Sequence, residues 1–477
     1  MKPKSFFHLF FLLLSIGLGL FIVVIDSTIL NIALPSISQD FQSTFSTIQW
    51  TIIAYSLCLT ALVPIFGRVG DIYGRKKLYL FGQVFFLLGS LLAGMSTDIV
   101  TIIGARVLQS LGGAMITSNT LAIIADSFEK EKRGMVMGLQ AILISGGAAI
   151  GPTLGGFIVT HFGWRWIFFI NIPIGIVSIL LGLKFLEDQI QERRKEDLDW
   201  LGAFLLFLGV GSFLLAITEG GEWGWWSPRI LLLAFGGLLF QGVFFWRQTQ
   251  IKHPLLDLSL LKIRSFVFGQ LAGVFAMSSI SMTSFLFPFY WQTLRGFSAQ
   301  KTGLLMLPLP LGIMFMSPFA GKLSDYRGAR LITTLGLLVV AFGFFMLTFI
   351  HSNSEIFDVL WRIAFVGIGL GMFLAPNNNS IISSVPNHRR GVAAGFLGMF
   401  RYSGQSIGVA LGGTIFATAI RWGTDSTQSV SDFFTNAPSG PAQLELYSRQ
   451  FETGFHYVFI FGVFFGLLGA LLSAQRS

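Results

Sequence analysis

The chain is a succession of long apolar stretches separated by short polar ones. An apolar window of about 20 residues crosses a bilayer as a helix. Such windows fall at Leu9–Ala33, Thr47–Phe66, Leu78–Ser96, Ile99–Ile124, Gly134–Thr160 and Trp166–Leu186. A charged segment follows, Glu187 to Asp199. Two further windows, Trp200–Thr218 and Ile230–Trp246, lead to a second polar link, Arg247 to Arg264. Ser265–Trp291, Thr302–Ala320, Leu331–Ile350, Phe357–Asn378, Gly391–Ile420 and Phe455–Leu472 complete the series. The pattern predicts an all-α membrane protein of about fourteen transmembrane helices, each satisfying its own backbone polar groups.

The series is an internal repeat. Gly67, Val69, Asp71 and Gly74 recur as Gly321, Leu323, Asp325 and Gly328, each 254 residues later. Gly138, Gly147, Gly151, Gly155 and Gly156 recur as Gly395, Gly404, Gly408, Gly412 and Gly413, each 257 residues later. This register predicts two six-helix bundles, residues 1–199 and 265–477, with two inserted helices and a cytoplasmic link over 200–264. Residues 421–453 are polar, carry Pro438 and Pro441, and are expected as an external loop, either irregular or a hairpin over the mouth.

Charge supplies orientation. Only 12% of the 477 residues are charged, against about 25% in soluble proteins, so most of the surface is expected to face lipid. With the N-terminus inside, roughly 23 of the 32 Lys and Arg fall on the cytoplasmic side. Arg75, Lys76, Lys77, Lys130, Lys132, Arg133, Arg193, Arg194, Lys195, Arg389 and Arg390 all agree. The net charge of +9 is thus spread through loops, not gathered in a basic domain, and no nucleic-acid partner is expected. The stretch after Lys2 and Lys4 resembles a signal peptide, but it lacks a small-residue cleavage site and reads as a retained first span. A single cysteine, Cys58, allows no internal disulfide. There is neither a phosphate-binding Gly-Lys-Ser/Thr loop nor a His-Glu-x-x-His zinc motif, so ATP-driven pumping and zinc hydrolysis lack support, and no metal or cofactor is expected.

Three motifs carry a family resemblance. Gly67-Arg-Val-Gly-Asp-Ile-Tyr-Gly-Arg-Lys-Lys77 resembles the loop signature of the major facilitator superfamily. Gly138, Gly147, Gly151-Pro152 and Gly155-Gly156 match its antiporter motif, and Asp26-Ser-Thr-Ile-Leu-Asn-Ile-Ala-Leu-Pro35 resembles the first helix of fourteen-span drug:proton antiporters of the QacA/EmrB type. The resemblance implies a major facilitator fold and a proton-coupled exporter of hydrophobic or cationic drug-like molecules. A dedicated exporter of one metabolite, antibiotic or lipid in the same fold stands as the alternative. It also implies a bacterial cytoplasmic membrane, the proton gradient as energy source, and a monomer, with accessory envelope partners left open; the charge bias and the even number of spans are what put both termini inside.

The motifs have a physical logic of their own. Gly147, Gly151 and Gly155 lie four apart and form a smooth ridge on which another helix can pack closely. Pro152 removes a backbone donor and is expected to kink it. The ridge serves either tight packing or gating, the latter implied by the resemblance. Gly67 and Gly74 permit turn backbone. Asp71 and Arg75, with Asp325 in the second copy, are implied by the resemblance to latch the two halves in one state; the alternative is a solvated basic loop.

Asp26 is the leading candidate for proton coupling, because a carboxylate inside a span costs about 2.5–3.5 kcal/mol on insertion scales. It is either a proton carrier or a structural ion pair. Arg106 lies in Arg-Val-Leu-Gln-Ser-Leu-Gly112, which resembles the fourth-helix motif where an arginine sets the acid's proton affinity; a scaffold role is the alternative. Arg362 is placed near a helix end, free to snorkel. Arg401, deeper, either pairs with Asp26, binds an anionic substrate group, or holds the bundle together. Tyr55, Asn119, Gln140, Tyr290, Trp291 and Asn377 are candidate substrate contacts, since apolar pockets with a few polar and aromatic groups suit drug-like ligands.

Overall fold

The computed structural model describes residues 6–127, 130–187, 198–251, 254–386, 389–422 and 441–476, of which 6, 121, 125–126, 130–145, 390–391 and 441–444 are described only as helical backbone. Every regular element among them is helical. The first bundle comprises α1 (Phe6–Asp40), α2 (Phe45–Tyr73), α3 (Arg75–Gly94), α4 (Ile99–Ser127), α5 (Lys130–Phe162), and the short α6 (Trp166–Phe169) leading into α7 (Asn171–Phe185). An inserted hairpin follows, α8 (Trp200–Trp223) and α9 (Pro228–Gln250). The second bundle holds α10 (Arg264–Phe289), α11 (Ala299–Leu305), α12 (Pro308–Arg327), α13 (Ala329–Leu347), α14 (Ile356–Ser383), α15 (Arg390–Trp422) and α16 (Pro441–Ala474). Among the described residues, 13 helical segments are long and apolar enough to cross a membrane. The 33-residue α5 supplies the remaining crossing of the expected fourteen.

The sequence repeat is also a packing repeat. On α5, a methyl at Gly151 would meet Thr28 Oγ1 at 2.0 Å and one at Gly155 would meet Ile29 Cγ1 at 2.5 Å, so the ridge lies directly on α1. On α15, Gly404 and Gly408 lie against the Val274 and Ser278 carbonyls of α10 at 2.6 and 2.4 Å by the same measure. The ridges therefore bind equivalent partners in the two halves, as small residues allow where lipid offers no hydrophobic drive. Beyond its backbone, Gly138 lies outside the described residues.

Three local expectations change. The loop signature is mostly helix: α2 runs through Gly67 to Tyr73, and only Gly74, at φ +100°, breaks the path before α3. Gly328, at φ +82°, does the same between α12 and α13. At the ends of the segment expected as an external loop, Arg421 belongs to α15 and residues 441–453 form the first turns of α16, while 423–440 lie outside the described residues. Arg362 is not free at its helix end. It pairs with Asp358 one turn away at 2.6 Å and donates to the Met346 carbonyl at 2.9 Å.

The inserted hairpin does more than join two bundles. Asp199 caps α8 by accepting from Gly202 N and binds Arg247 and Gln248 of α9, all at 2.7–2.8 Å. At its other end α8 touches both halves: Ser46 of α2 donates to Glu222 at 3.1 Å, and Thr414 of α15 donates to the Ile217 carbonyl at 3.0 Å.

The two halves meet closely at the face opposite the basic loops. Gln292 donates to the Ile32 carbonyl, and Gln300 N to Thr160 Oγ1, each at 2.9 Å. A methyl at Gly303 would stand 2.2 Å from the Pro152 carbonyl, and one at Gly156 would stand 2.3 Å from that of Ala299. Phe45 packs its ring within 5.3–5.6 Å of Phe285, Phe289 and Phe416.

Candidate functional site

Asp26 sits on α1 roughly 21 Å along the helix from its Asp40 end, counting 1.5 Å per residue. It is about 1% exposed. Arg106 of α4 donates to Asp26 Oδ2, and its Nε donates to the Thr51 carbonyl of α2 at 3.2 Å. Gln109, one turn beyond Arg106, donates to Asp26 Oδ1 at 2.7 Å and accepts from Arg106. Asn171, the first residue of α7, donates to the same Oδ1 at 3.0 Å. Ser90 of α3 accepts from both Gln109 and Asn171. Five helices thus converge on one carboxylate.

The local sequence makes this convergence possible. Arg106 and Gln109 stand three apart on α4 and so project from one face. Asn171 lies where α6 gives way to α7, which aims its amide back into the bundle. The guanidinium lies 4.1 Å from the ring centroid of Tyr55, giving the cation a π face as well as an anion. Tyr55 Oη is buried without a hydrogen-bond partner and faces Gly113. A buried pair so fully bonded holds its geometry, and removal of one member strands the other.

Asp26 and Arg106 are therefore brought together, and Arg401 does not join them. Arg401 is exposed on α15 and forms no ion pair among the described residues. Gln109, Asn171, Ser90 and Thr51 were not singled out from sequence; an Asn and a Ser within apolar spans are the faint signals that marked two of them.

The other expected sites separate. Arg75 binds Asp71 at 2.6 Å and reaches the Ala122 carbonyl at 3.4 Å, so the pair ties α2 to α3 and α4 inside one half. An i,i+4 spacing across the Gly74 turn brings the two side chains together locally. Asp325 is exposed, and Ala329 stands where the second copy would need the arginine. The five expected substrate contacts that lie among the described residues form no single pocket. Tyr55 belongs to the Arg106 site. Asn119 is buried against Gly70 and donates to the Met115 carbonyl at 2.9 Å. Tyr290 and Trp291 are buried in an aromatic cluster, Tyr290 donating to the His351 carbonyl and Trp291 stacking on Phe297. Asn377 accepts from Arg476, a buried guanidinium beyond the last span that burial lowers to a pKa of about 10. The side chain of Gln140 lies outside the described residues. The reason is common to all: aromatic and amide side chains on inner helices also satisfy one another across helix seams.

Residues 16–409 match the Major Facilitator Superfamily. The chain belongs to that superfamily. Like other major facilitator proteins it is a multi-pass membrane transporter. It is 33% identical over 410 residues to the riboflavin transporter RibZ of Clostridioides difficile (strain 630), covering 86% of this chain and 89% of that one. It is 31% identical to the multidrug resistance protein Stp of Mycobacterium tuberculosis (strain CDC 1551 / Oshkosh), covering 85% and 75%. With the lincomycin resistance protein LmrB of Listeria monocytogenes serovar 1/2a it shares 29% identity, covering 95% and 93%. A bacterial homologue of the human lysosomal transporter Spinster superposes with a TM-score of 0.72 at 14% identity, over 99% of this chain and 98% of that one. A D-xylose-proton symporter does so at 0.63 and 15%, over 98% and 97%. At these identities the two structures speak to the major facilitator fold alone.

Proposed function

We propose that this transporter is a proton-coupled antiporter that exports hydrophobic, drug-like small molecules by alternating access. It works in a bacterial cytoplasmic membrane with both termini in the cytoplasm. The observation that carries the reading is Asp26, a fully bonded carboxylate held by Arg106, Gln109 and Asn171 deep in the first half. Protonation removes the charge that holds Arg106 and lets α1, α4 and α7 shift against one another. Loss of that proton on the cytoplasmic side restores the pair. Close packing of the halves at the face opposite the basic loops fits a carrier whose site is reached from the cytoplasm. The relatives named for multidrug and lincomycin resistance support an exported, drug-like cargo.

The test is dye efflux from proteoliposomes under an imposed pH gradient. Gradient-driven flux is expected for the wild type and lost in Asp26→Asn. If Asp26→Asn follows the gradient as well as the wild type, the coupling role is wrong.

A dedicated exporter of one metabolite is the second reading, favoured by the 33% identity to a protein named as a riboflavin transporter. Resistance to, or flux of, a single compound across a broad panel would select it.

A further inference from the structure

We infer that Arg401 forms an anion-binding subsite in the space between the two halves, and that the preferred cargo is an amphipathic molecule carrying a carboxylate or a similar anionic group. This deepens the reading of the chain as a small-molecule carrier and rests on it. It also departs from the cationic cargo that the motifs imply.

The placement follows from α15. Gly398, three residues before Arg401, faces Val63 of α2, and Gly404, three residues after, faces the Val274 carbonyl of α10. Successive steps of three turn a helix by equal angles, so the Arg401 side chain leaves α15 midway between those two directions. Helix α2 belongs to the first bundle and α10 to the second, so that direction leads into the gap between them. The residue lies within the Val392–Arg421 crossing, about 14 Å along the helix from its start, and it is exposed there. Ser406, five residues on, donates to Ser56 Oγ of α2 at 2.8 Å, and Ser56 follows Tyr55, whose ring lies beneath Arg106. The gap that Arg401 enters thus adjoins the Asp26 site.

The charges around it set its sign. Asp26 is committed to Arg106, and Arg362 to Asp358. Arg401 has no acid within ion-pair distance among the described residues. An arginine keeps its charge in a protein, and an intramembrane cation without a partner marks a pathway or a ligand. A lipophilic cation entering this gap meets an uncompensated positive charge. A carboxylate meets a planar fork of N–H donors with the geometry to bind it through two parallel hydrogen bonds.

Fluorescein, its methyl ester with the carboxylate masked, and ethidium are the probes, with binding to the purified full-length protein read by fluorescence anisotropy. Binding needs no proton gradient, so it reports on Arg401 even if the coupling proposed for Asp26 fails. Fluorescein is expected to bind at least tenfold more tightly than its ester. Arg401→Gln is expected to abolish that difference while leaving the affinity for the ester unchanged, and Arg401→Lys to restore part of it. The ester serves as the internal measure of folding. Equal affinity for acid and ester in the wild type, preference for ethidium, failure to bind fluorescein, or a preference that survives Arg401→Gln would each overturn the proposal.

Discussion

Arg106 and Asp26 face each other across the α1–α4 seam with both side chains about 1% exposed, and the same arginine reaches the α2 backbone at Thr51. One cation therefore couples three helices through one anion. Breaking such a pair from either side leaves a charge with no solvent to receive it, at a cost of about 3–5 kcal/mol.

Arg106→Ala is accordingly expected to lower the thermal midpoint in detergent by several degrees, and Arg106→Lys to recover only part of the loss. A lysine cannot serve Asp26, Gln109 and the Thr51 carbonyl together from one planar group. Full stability in Arg106→Ala would mean that the pair is open in solution.

Gly303 has no room for a side chain against the Pro152 carbonyl, and this contact lies between the halves. Gly303→Ala is expected to disfavour closure at that face and to slow transport at least tenfold. Gly146→Ala, where a methyl would meet nothing within 4 Å, serves as the control. A cysteine placed at the opposite face in a Cys58→Ser background would read closure, since Cys58 is the only thiol. Its labelling should fall in Gly303→Ala and not in the control.

Asp199 governs the inserted hairpin. Burial pushes its carboxyl upward, but Arg247, Gln248 and the Gly202 N–H outweigh that and hold it below the usual carboxylate range. Because folding lowers this pKa, the linked stability is complete above a pH of about 4 and falls away as the pH drops through the folded value. Hydrogen exchange along α8 and α9 should accelerate below about pH 4 beyond the rest of the protein. Asp199→Ala, which loses a helix cap and a charged partner, should cost about 2 kcal/mol and remove that pH dependence.

Asp71 and Arg75 form an exposed pair within one half, and exposed pairs contribute about 0–1 kcal/mol. A double-mutant cycle with Asp71→Ala and Arg75→Ala, read by thermal unfolding, is expected to give a coupling below about 1 kcal/mol. A larger value would point to an additional partner from the other half.

Much of the architecture was legible in the chain. A run of apolar residues has no stable home but lipid or core, so the crossings announced themselves, and the 257-residue register of the glycines foretold that α15 would meet α10 as α5 meets α1. Asp26 was legible for a related reason: a carboxylate amid apolar residues is too costly to be incidental. Asp71 was legible only in part, because the same motif fits a local pair and a latch between halves. Five of the polar and aromatic candidates lie apart from one another, because periodicity shows which helix carries a side chain, not which neighbour it reaches.

The sequence alone determined the number of crossings, their duplication, and which charges stand at membrane depth, since each depends on transfer between water and lipid. Only the tertiary structure decided that Arg106 rather than Arg401 takes Asp26, and that α8 lies against both halves. Those outcomes turn on helix rotation and separation of a few ångströms, set by packing among segments 80 or more residues apart, and no local pattern encodes them.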